Sequence, residues 1–425
     1  MPELLSASAV APTTMPAGQA ARDRSGSPDR DARVGRKSEN LASSTTRPVT
    51  QLHPQLHHPN ARAWHEPTID AKHLVYPIFV HNGNSDVDIA GFSPNKRWGR
   101  GAQSSSSRSP FSSLVSHLRY LVEKCQLKAV MLFGVVPDGE KNCTGDAAAE
   151  VFSKTENPVE RCLQTLKATF GDHLLLMADV CLCEYTDHGH CGILKPRNTP
   201  ETNDSPICPA VVTSSGGSKS SAPSDPTVID LEKTTNRLAE IALSYATHGC
   251  DFVCPSDMMD GRVVKIRQKL NEGGFSHVGI LSYTSKKAST SLYNPFRNAV
   301  ASCFKGDRKR YQQPVGAFKL AQKSFQRDIA EGADIVLVKP SLFYADIIKS
   351  YAEKEVSLVA AYVVSGEYKM LFDYGTACDC LKDVVLEAHV SLLRAGADIL
   401  ITYYTPQILM DRFDLKSDFD WAGTT

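Results

Sequence analysis

Eight short runs of β-forming, apolar residues recur along the chain, and a segment with helical periodicity follows each of them. The runs show no polar–apolar alternation, so they are typical of parallel strands that are buried on both faces. They predict an α/β protein with a (β/α)8 fold, the TIM barrel, and a doubly wound open sheet is the alternative. The predicted strands are Leu74–Val80, Ala129–Phe133, Leu174–Val180, Asp251–Cys254, Val278–Tyr283, Asp334–Val338, Leu358–Val364 and Asp398–Tyr403.

Three segments do not share this pattern. Residues 1–50 contain no aromatic residue and are rich in Ser, Thr, Pro, Ala and Arg, so they cannot bury enough apolar area to offset chain entropy. This segment is predicted to be a disordered N-terminal extension. Residues 101–110 and 195–227 are rich in Ser or in Ser and Pro, and both are predicted to be surface insertions.

The composition argues against two classes of protein. The chain has 47 Lys+Arg and 47 Asp+Glu, and this zero net charge argues against nucleic-acid binding through bulk electrostatics. No apolar run reaches the roughly 18–20 residues that a membrane-spanning helix requires. The 12 cysteines are scattered and no secretory apolar segment precedes them, so reduced thiols and a cytoplasmic location are predicted.

Three cysteines lie in the loop after the third predicted strand. In a barrel, catalytic groups lie at the C-terminal ends of the strands, where this loop begins. Cys181, Cys183 and Cys191 predict a Zn²⁺ site, because three thiolate ligands leave the fourth tetrahedral position open for chemistry. Reduced core cysteines are one alternative. A closed structural zinc site that includes His190 is another.

Two lysines lie at the ends of neighbouring predicted strands. Lys339 directly follows the sixth strand, and Lys286 follows the fifth. Burial and a neighbouring cation both lower the pKa of a lysine, which yields the neutral amine that a Schiff base requires. We therefore expect the two amines to lie close together and to lower each other's pKa. Because Lys287 adjoins Lys286, one of that pair is predicted to face solvent. For Lys286 and for Lys339, the alternative to catalysis is an ordinary solvated lysine at the end of a strand.

Further polar residues follow other strands. Arg297, Arg308 and Arg310 follow the fifth strand, and arginine is the natural bidentate partner of a carboxylate. Ser365 and Tyr403 offer hydroxyl groups at the ends of the seventh and eighth strands. For any one arginine, a surface salt bridge is the alternative. Together, the lysines, thiols and carboxylate binders predict carbonyl chemistry on small acidic substrates.

Six motifs at these strand ends, in the same order, resemble the porphobilinogen synthase family, which is also called the 5-aminolevulinate dehydratase family. The resemblance covers residues 52–412 apart from the insertions, and the cysteine loop is similar to that of the zinc-dependent branch. The motifs are DVCLCEYTDHGHCG, PSDMMDGRV, ILSYTSKKASTSLYNPFR, IVLVKP, YVVSGEY and ADILITYYTPQ.

The resemblance implies a hydro-lyase that condenses two molecules of 5-aminolevulinate to the pyrrole porphobilinogen, a step of haem biosynthesis. Lys339 would be the principal Schiff-base lysine, and Lys286 would hold the second substrate. The three cysteines would bind the catalytic Zn²⁺. The substrate-binding residues that the resemblance implies are Arg297, Arg308, Gln312, Ser365, Tyr403, Tyr293, Asp179 and Asp257.

The resemblance also has implications for assembly. The family is typically a homo-octamer in which N-terminal arms embrace neighbouring subunits. This implies an arm over residues 51–73 and a catalytic barrel over residues 74–425. It implies no nucleic-acid partner and no membrane partner.

Four departures from the family pattern leave other functions open. Lys287 replaces a usual aromatic residue, and one extra residue precedes Tyr293. Ser341 replaces a usual glycine, and Arg310 stands where some zinc-type members have a further cysteine. Arg310 argues against an accessory metal site. The other three changes favour, as an alternative, a diverged paralogue with low activity or inhibitor tolerance. A non-catalytic zinc-binding interaction protein is the third hypothesis, and it requires the two lysines to be incidental.

Overall fold

The structure is a computed structural model that describes residues 56, 58–101, 109–153, 155–195, 228–289, 291–304 and 306–412. The chain divides into two compact units, residues 1–62 and 63–425. The predicted extension and most of both predicted insertions lie outside the described residues. The predicted domain boundaries, including that of the arm, therefore stay predictions.

The second unit is a closed barrel of eight parallel strands. The strands pair in chain order, and the last strand pairs with the first through Leu74 and Leu400. This closure confirms the (β/α)8 prediction and excludes the open sheet. A small antiparallel hairpin, β2 and β3, adds to the C-terminal part of β1. The strands are β1 Leu74–His81, β2 Val87–Asp88, β3 Lys96–Gly99, β4 Ala129–Val135, β5 Leu175–Val180, β6 Phe252–Pro255, β7 Gly279–Lys286, β8 Ile335–Lys339, β9 Leu358–Val363 and β10 Ile399–Thr402.

Helices connect the barrel strands and cover the outside of the barrel. A typical start is that of α3, where Asn157 Oδ1 accepts hydrogen bonds from the backbone N–H groups of Val159 and Glu160. None of the helices in the described part of the chain has the length and apolar composition needed to cross a bilayer. The helices are α1 Pro59–Ala63, α2 Ser112–Cys125, α3 Pro158–Phe170, α4 Leu231–Thr247, α5 Arg262–Glu272, α6 Asn294–Ala299, α7 Phe318–Ala330, α8 Ala345–Ala352, α9 Ser365–Ala377, α10 Leu381–Arg394 and α11 Thr405–Arg412.

A recurring turn fixes where several barrel strands begin. Gly332 and Gly396 have φ values of 98° and 104°, a left-handed conformation that ends the preceding helix and that glycine adopts without strain. An aspartate then precedes the strand, and its carboxylate accepts a hydrogen bond from a backbone N–H of the neighbouring strand. The aspartates are Asp251, Asp334 and Asp398, with distances of 2.9, 2.7 and 2.8 Å.

Two strands extend further towards the functional end of the barrel than the sequence predicts. The fifth predicted strand ends at Tyr283, but β7 continues to Lys286. The extension was missed because Thr284 and Ser285 look like loop residues by hydropathy, yet both are buried. The register between β7 and β8 shifts between Ser282 and Ser285, and pairing then resumes up to Lys286. Both candidate lysines are therefore the last residues of strands rather than loop residues.

Candidate active site

The two candidate lysines meet in one cavity at the C-terminal end of the barrel. Lys286 and Lys339 are paired in register as the last residues of β7 and β8. Their exposed fractions are only 5% and 4%. The lining of this cavity includes Asp179, Cys183, Glu184, Tyr293, Arg297 and Arg308. Two amines and several charged groups therefore surround one small, enclosed space.

Lys339 has aromatic surroundings. Its Nζ lies 4.0 Å from the ring centroid of Tyr362 and 4.9 Å from that of Phe296. Burial and, to a smaller extent, the positive charge of Lys286 lower the pKa of Lys339 to about 7. A large fraction of this amine is therefore neutral at neutral pH and able to attack a carbonyl carbon.

Lys286 has polar surroundings. Its Nζ donates a 2.6 Å hydrogen bond to the backbone oxygen of Ser256. Burial acts to lower the pKa of Lys286, but the thiolate charge at Cys191 and at the other two cysteines outweighs it, so that pKa is raised. The expectation that the two lysines lower each other's pKa is therefore wrong for Lys286, because the sulfur cluster faces it more directly than the sequence indicated.

Lys287 is buried, contrary to the prediction that it or Lys286 faces solvent. Alternate residues of a strand point to opposite faces, so Lys286 points into the barrel and Lys287 points outwards. Lys287 nevertheless has 0% exposure. Its Nζ donates to Gln313 Oε1 at 3.0 Å and to the backbone oxygen of Ala317 at 3.1 Å. The sequence could not reveal this, because the segment that covers the outer face is remote along the chain.

The three predicted cysteines converge. Their Sγ atoms all lie within 4.8 Å of one another, and the Sγ atoms of Cys181 and Cys183 are 3.3 Å apart. All three are buried. Burial opposes ionisation, but thiol hydrogen bonds from Cys181 and Cys183 lower the pKa of Cys191. A buried set of three sulfur donors suits a soft or borderline metal ion such as Zn²⁺.

Neither histidine of the cysteine loop joins this group in the described part of the chain. His190 Nδ1 lies 3.0 Å from the hydroxyl of Tyr311. His188 Nε2 lies 3.3 Å from the backbone oxygen of Cys143. The geometry therefore gives a three-thiol group rather than the closed site with His190.

Two carboxyl groups lie beside the thiols. Asp179 Oδ2 accepts a 3.2 Å hydrogen bond from Ser256 Oγ, while its Oδ1 is buried without a hydrogen-bond partner among the described residues. Burial, together with the negative charge of Glu184, raises the pKa of Asp179 to about 8. Asp179 is therefore largely protonated at neutral pH and can both donate and accept a proton inside the cavity.

Two arginines also line the cavity. Arg297 lies on α6, and Arg308 lies in the segment that follows. Their guanidinium carbons lie 5.1 and 4.6 Å from the ring centroid of Phe304, and Arg308 Nη2 donates a 2.8 Å hydrogen bond to the backbone oxygen of Gly189. The Nε–H groups of both arginines are buried with no described acceptor. Two unused cationic donors in a small cavity are a suitable site for a carboxylate.

Comparisons with known proteins decide the family. Residues 50–227 and 207–410 match the model of the family described as Delta-aminolevulinic acid dehydratase. The chain belongs to the delta-aminolevulinic acid dehydratase family. The predicted resemblance is confirmed, and the chain is therefore a member of a family of enzymes.

Individual relatives of this family cover most of the chain. The delta-aminolevulinic acid dehydratase of Pongo abelii is 39% identical over 371 residues, which are 85% of this chain and 98% of the relative. The Dictyostelium discoideum dehydratase is 38% identical over 84% of this chain and 95% of the relative. The crystal structure of the Toxoplasma gondii ME49 dehydratase, in complex with the reaction product porphobilinogen, has a TM-score of 0.71 and 30% identity. It covers 89% of this chain and 96% of that chain.

In this dehydratase-family chain, the predicted site residues Ser365 and Tyr403 do not line the cavity. Each contacts a residue that surrounds the Lys339 amine. Ser365 Oγ accepts a 2.8 Å hydrogen bond from the backbone N–H of Phe296. The hydroxyl of Tyr403 lies 2.9 Å from that of Tyr362, the ring nearest to Lys339. Both residues are buried. Their hydroxyls lie behind the aromatic wall that surrounds the Lys339 amine.

The remaining predicted residues occupy neighbouring positions. The hydroxyl of Tyr293, which lines the cavity, donates to the backbone oxygen of Lys287 at 3.0 Å. Gln312 lines an adjacent, larger cavity, and its buried Nε2 has no acceptor among the described residues. Asp257 accepts a 2.7 Å hydrogen bond from the backbone N–H of Met259 and lies 3.5 Å from Arg262. Asp257 therefore contacts a buried ion-pair network and not the cavity.

Sequence reasoning missed three residues that this family member brings to the cavity. Glu184 lies between Cys183 and Cys191 in the cysteine loop, and its position in that loop was the available signal. Ser256 follows β6 and binds both Lys286 and Asp179. Phe296 approaches Lys339 from α6, and no local signal identified it, because that contact depends on how α6 packs over the barrel end.

Proposed function

We propose that the chain is a porphobilinogen synthase that joins two molecules of 5-aminolevulinate and releases two molecules of water. The observation that carries this proposal is the pair of buried amines at the register-paired ends of β7 and β8. Family membership supports it, and so does the Toxoplasma gondii relative with its bound porphobilinogen. The pathway is then tetrapyrrole and haem biosynthesis.

Lys339 forms the principal Schiff base in this proposal. Its neutral amine attacks the ketone carbon of one substrate, the ketone oxygen leaves as water, and a C=N bond replaces the C=O bond. The aromatic rings around Nζ exclude bulk water from this imine. Lys286 forms the second imine in the same way with the other substrate, which occupies the arginine side of the cavity.

Tethering two substrates to neighbouring strand ends makes their condensation effectively intramolecular. Well-oriented intramolecular reactions have effective molarities on the order of 10⁵–10⁸ M. One C–C bond and one C–N bond close the pyrrole ring. The two lysines are released as amines. In total, two substrate molecules are converted to one pyrrole and two molecules of water.

The other site residues bind substrate or move protons. Arg297, Arg308 and Gln312 bind the carboxylate of the second substrate. The family resemblance assigns the carboxylate of the first to Ser365 and Tyr403, whose hydroxyls lie behind the aromatic rings near Lys339 in this structure. Asp179 carries the proton that carbon and oxygen centres exchange, since its raised pKa of about 8 permits both directions near neutral pH. Tyr293, which lines the cavity, completes the proposed set, whereas Asp257 contributes from outside the cavity through its ion pair with Arg262.

Cys181, Cys183 and Cys191 would hold Zn²⁺, because their donor set and mutual distances suit that ion. The ion would supply Lewis-acid polarisation of a substrate or water oxygen. We further infer a cytoplasmic homo-octamer with an arm from residues 51–73. Size-exclusion chromatography on a calibrated column tests the oligomeric state.

Turnover is tested with the purified full-length chain, Zn²⁺, a thiol reductant and 5-aminolevulinate. A pyrrole that colours an acidic aldehyde reagent is expected from the unmodified chain and not from Lys339→Ala. Lys349→Ala, which alters a lysine whose side chain is 65% exposed, is the matched control. Borohydride reduction should leave a substrate adduct on Lys339, found by peptide mass spectrometry. Absence of both pyrrole and adduct would contradict the proposal and favour the non-catalytic zinc protein.

The diverged-paralogue alternative is tested by steady-state kinetics. We expect kcat/KM and inhibition by a substrate-like diketo acid to match those of an ordinary dehydratase measured in parallel. Strongly reduced turnover together with inhibitor tolerance would favour the paralogue instead.

A further inference from the structure

Lys287 is a buried lysine that forms no salt bridge among the described residues, and the carboxylate of Asp346 acts on it only from beyond salt-bridge distance. Lys287 directly follows β7, and its side chain is fully buried. Nζ contacts two neutral oxygens, Gln313 Oε1 at 3.0 Å and the backbone oxygen of Ala317 at 3.1 Å, and lies 5.6 Å from the ring centroid of Tyr344. Burying an ammonium group is costly unless hydrogen bonds replace its water, so these two acceptors fix the position of the amine.

The side chain of Gln313 uses both of its polar atoms around this amine. Its Oε1 also accepts a 3.0 Å hydrogen bond from Ser285 Oγ. Its Nε2 donates to the backbone oxygen of Thr284 at 3.2 Å and to Ser324 Oγ at 2.9 Å. Gln313 therefore bridges the end of β7 and the helix α7, and Lys287 is one of four groups that hold it there.

Backbone hydrogen bonds place the same two residues beside the catalytic strand ends. Lys287 and Gln313 form a parallel bridge. The N–H of Gln313 donates to the oxygen of Lys286 at 3.0 Å, and its oxygen accepts from the N–H of Ala288 at 2.8 Å. The N–H of Lys287 donates to the oxygen of Lys339 at 2.9 Å. Gln313 is thus joined by a single β-bridge to the chain next to both Schiff-base lysines.

The residues proposed to bind the second substrate directly precede this bridge in the sequence. Gln312 precedes Gln313, and its backbone N–H donates to the oxygen of Arg308 at 2.9 Å, so Arg308 and Gln312 share one tight turn. We propose that the Lys287–Gln313 pair is a positioning element that sets the location of Arg308 and Gln312 for the carboxylate of the second substrate. This inference rests on the proposed function and deepens it, because it assigns a role to a lysine that replaces an aromatic residue.

A displaced carboxylate binder weakens binding of one substrate more than it slows the bond-making steps. In Lys287→Met and in Gln313→Ala, we expect the KM for 5-aminolevulinate to rise on the order of tenfold while kcat stays within about threefold. At a low substrate concentration, the borohydride adduct at Lys286 should decrease while the adduct at Lys339 is retained. The double variant should resemble each single variant, because both changes remove the same interaction.

The matched control is Lys309→Met, which removes a lysine of the same segment whose side chain is 69% exposed and which pairs with Asp307. We expect its KM to equal that of the unmodified chain. Circular dichroism and thermal melting verify folding, and Gln313→Ala carries the test alone if Lys287→Met does not fold.

An unchanged KM in both variants, a loss of kcat at constant KM, or additive effects in the double variant would overturn the inference. These outcomes leave the proposed function intact, provided that the unmodified chain still forms the pyrrole and the Lys339 adduct. If the unmodified chain forms neither, the proposed function fails, and the inference fails with it.

Discussion

Lys286 and Lys339 end neighbouring strands in register, yet their surroundings shift their pKa values in opposite directions. Aromatic rings surround the Lys339 amine, whereas the Lys286 amine is close to the thiols and donates to Ser256. At neutral pH, one cavity therefore presents a partly neutral amine at Lys339 beside a protonated one at Lys286. We infer that at neutral pH Lys339 is the first of the two to form a Schiff base.

This difference predicts how imine formation at Lys339 depends on pH. Burial, aided by the charge of Lys286, lowers the pKa of Lys339 to about 7, so the amine is protonated below pH 7 and neutral above it. The rate at which borohydride traps the Lys339 adduct should increase up to about pH 7 and then level off. Peptide mass spectrometry after timed reduction measures it. A rate that keeps rising up to the ordinary lysine value of 10.5 would show that the amine is not desolvated.

The thiol group predicts a metal stoichiometry. We expect about one zinc ion per unmodified chain and almost none in Cys181→Ser, because a hydroxyl is a poor substitute for a thiolate ligand. Elemental analysis after gel filtration measures this. Cys378→Ser is the control, since Cys378 is exposed and lies outside the group. Equal zinc content in both variants would place the metal elsewhere.

A third prediction concerns the helix that carries Arg297. Arg97, from β3, donates from Nε to the backbone oxygen of Ala299 at 2.7 Å and from Nη2 to that of Asn298 at 2.5 Å. These carbonyl groups are at the negative end of α6, which a cation stabilises. We expect Arg97→Ala to lower kcat/KM roughly tenfold, because the helix then holds Arg297 less firmly. The exposed Arg119 provides the control Arg119→Ala, and an effect of equal size there would contradict this role.

Most of the barrel and the sulfur site could be predicted from local patterns. Apolar runs identify strands that are buried on both faces, and the order of eight such units specifies a closed parallel barrel. Residues at the C-terminal ends of the strands then lie at the same end of the barrel, independently of how the side chains pack. This is why Lys286, Lys339 and the three cysteines converge as expected.

The remaining features depend on contacts between segments that are distant along the chain. Lys287 looks like a solvated residue until the segment at Gln313 covers it, and Lys286 looks like a second low-pKa lysine until the thiol positions are known. Phe296 contacts the Lys339 amine only because α6 packs over the barrel end. Such properties need the tertiary structure, because no local pattern encodes which remote group covers a given side chain.

A last prediction concerns acid stability and a residue away from the cavity. His389 on α10 is completely buried, with Nδ1 2.7 Å from the backbone oxygen of Val385 and Nε2 2.8 Å from Thr402 Oγ1. Because a carbonyl oxygen only accepts, Nδ1 carries the hydrogen and Nε2 accepts from the threonine hydroxyl. Burial lowers the pKa of His389 to about 4, from 6.5 in an unfolded chain.

Between pH 6.5 and 4, the unfolded chain therefore binds a proton at His389 that the folded chain does not bind. The free energy of unfolding should fall as the pH falls through this window, with a contribution from His389 of up to about 3 kcal/mol. In His389→Gln this contribution disappears, so its stability should depend less steeply on pH. Urea unfolding at pH 7 and pH 4.5 measures the difference, with His277→Gln, at an exposed position, as the control. An equal pH dependence in the unmodified chain and His389→Gln would mean that His389 is already protonated in the folded barrel.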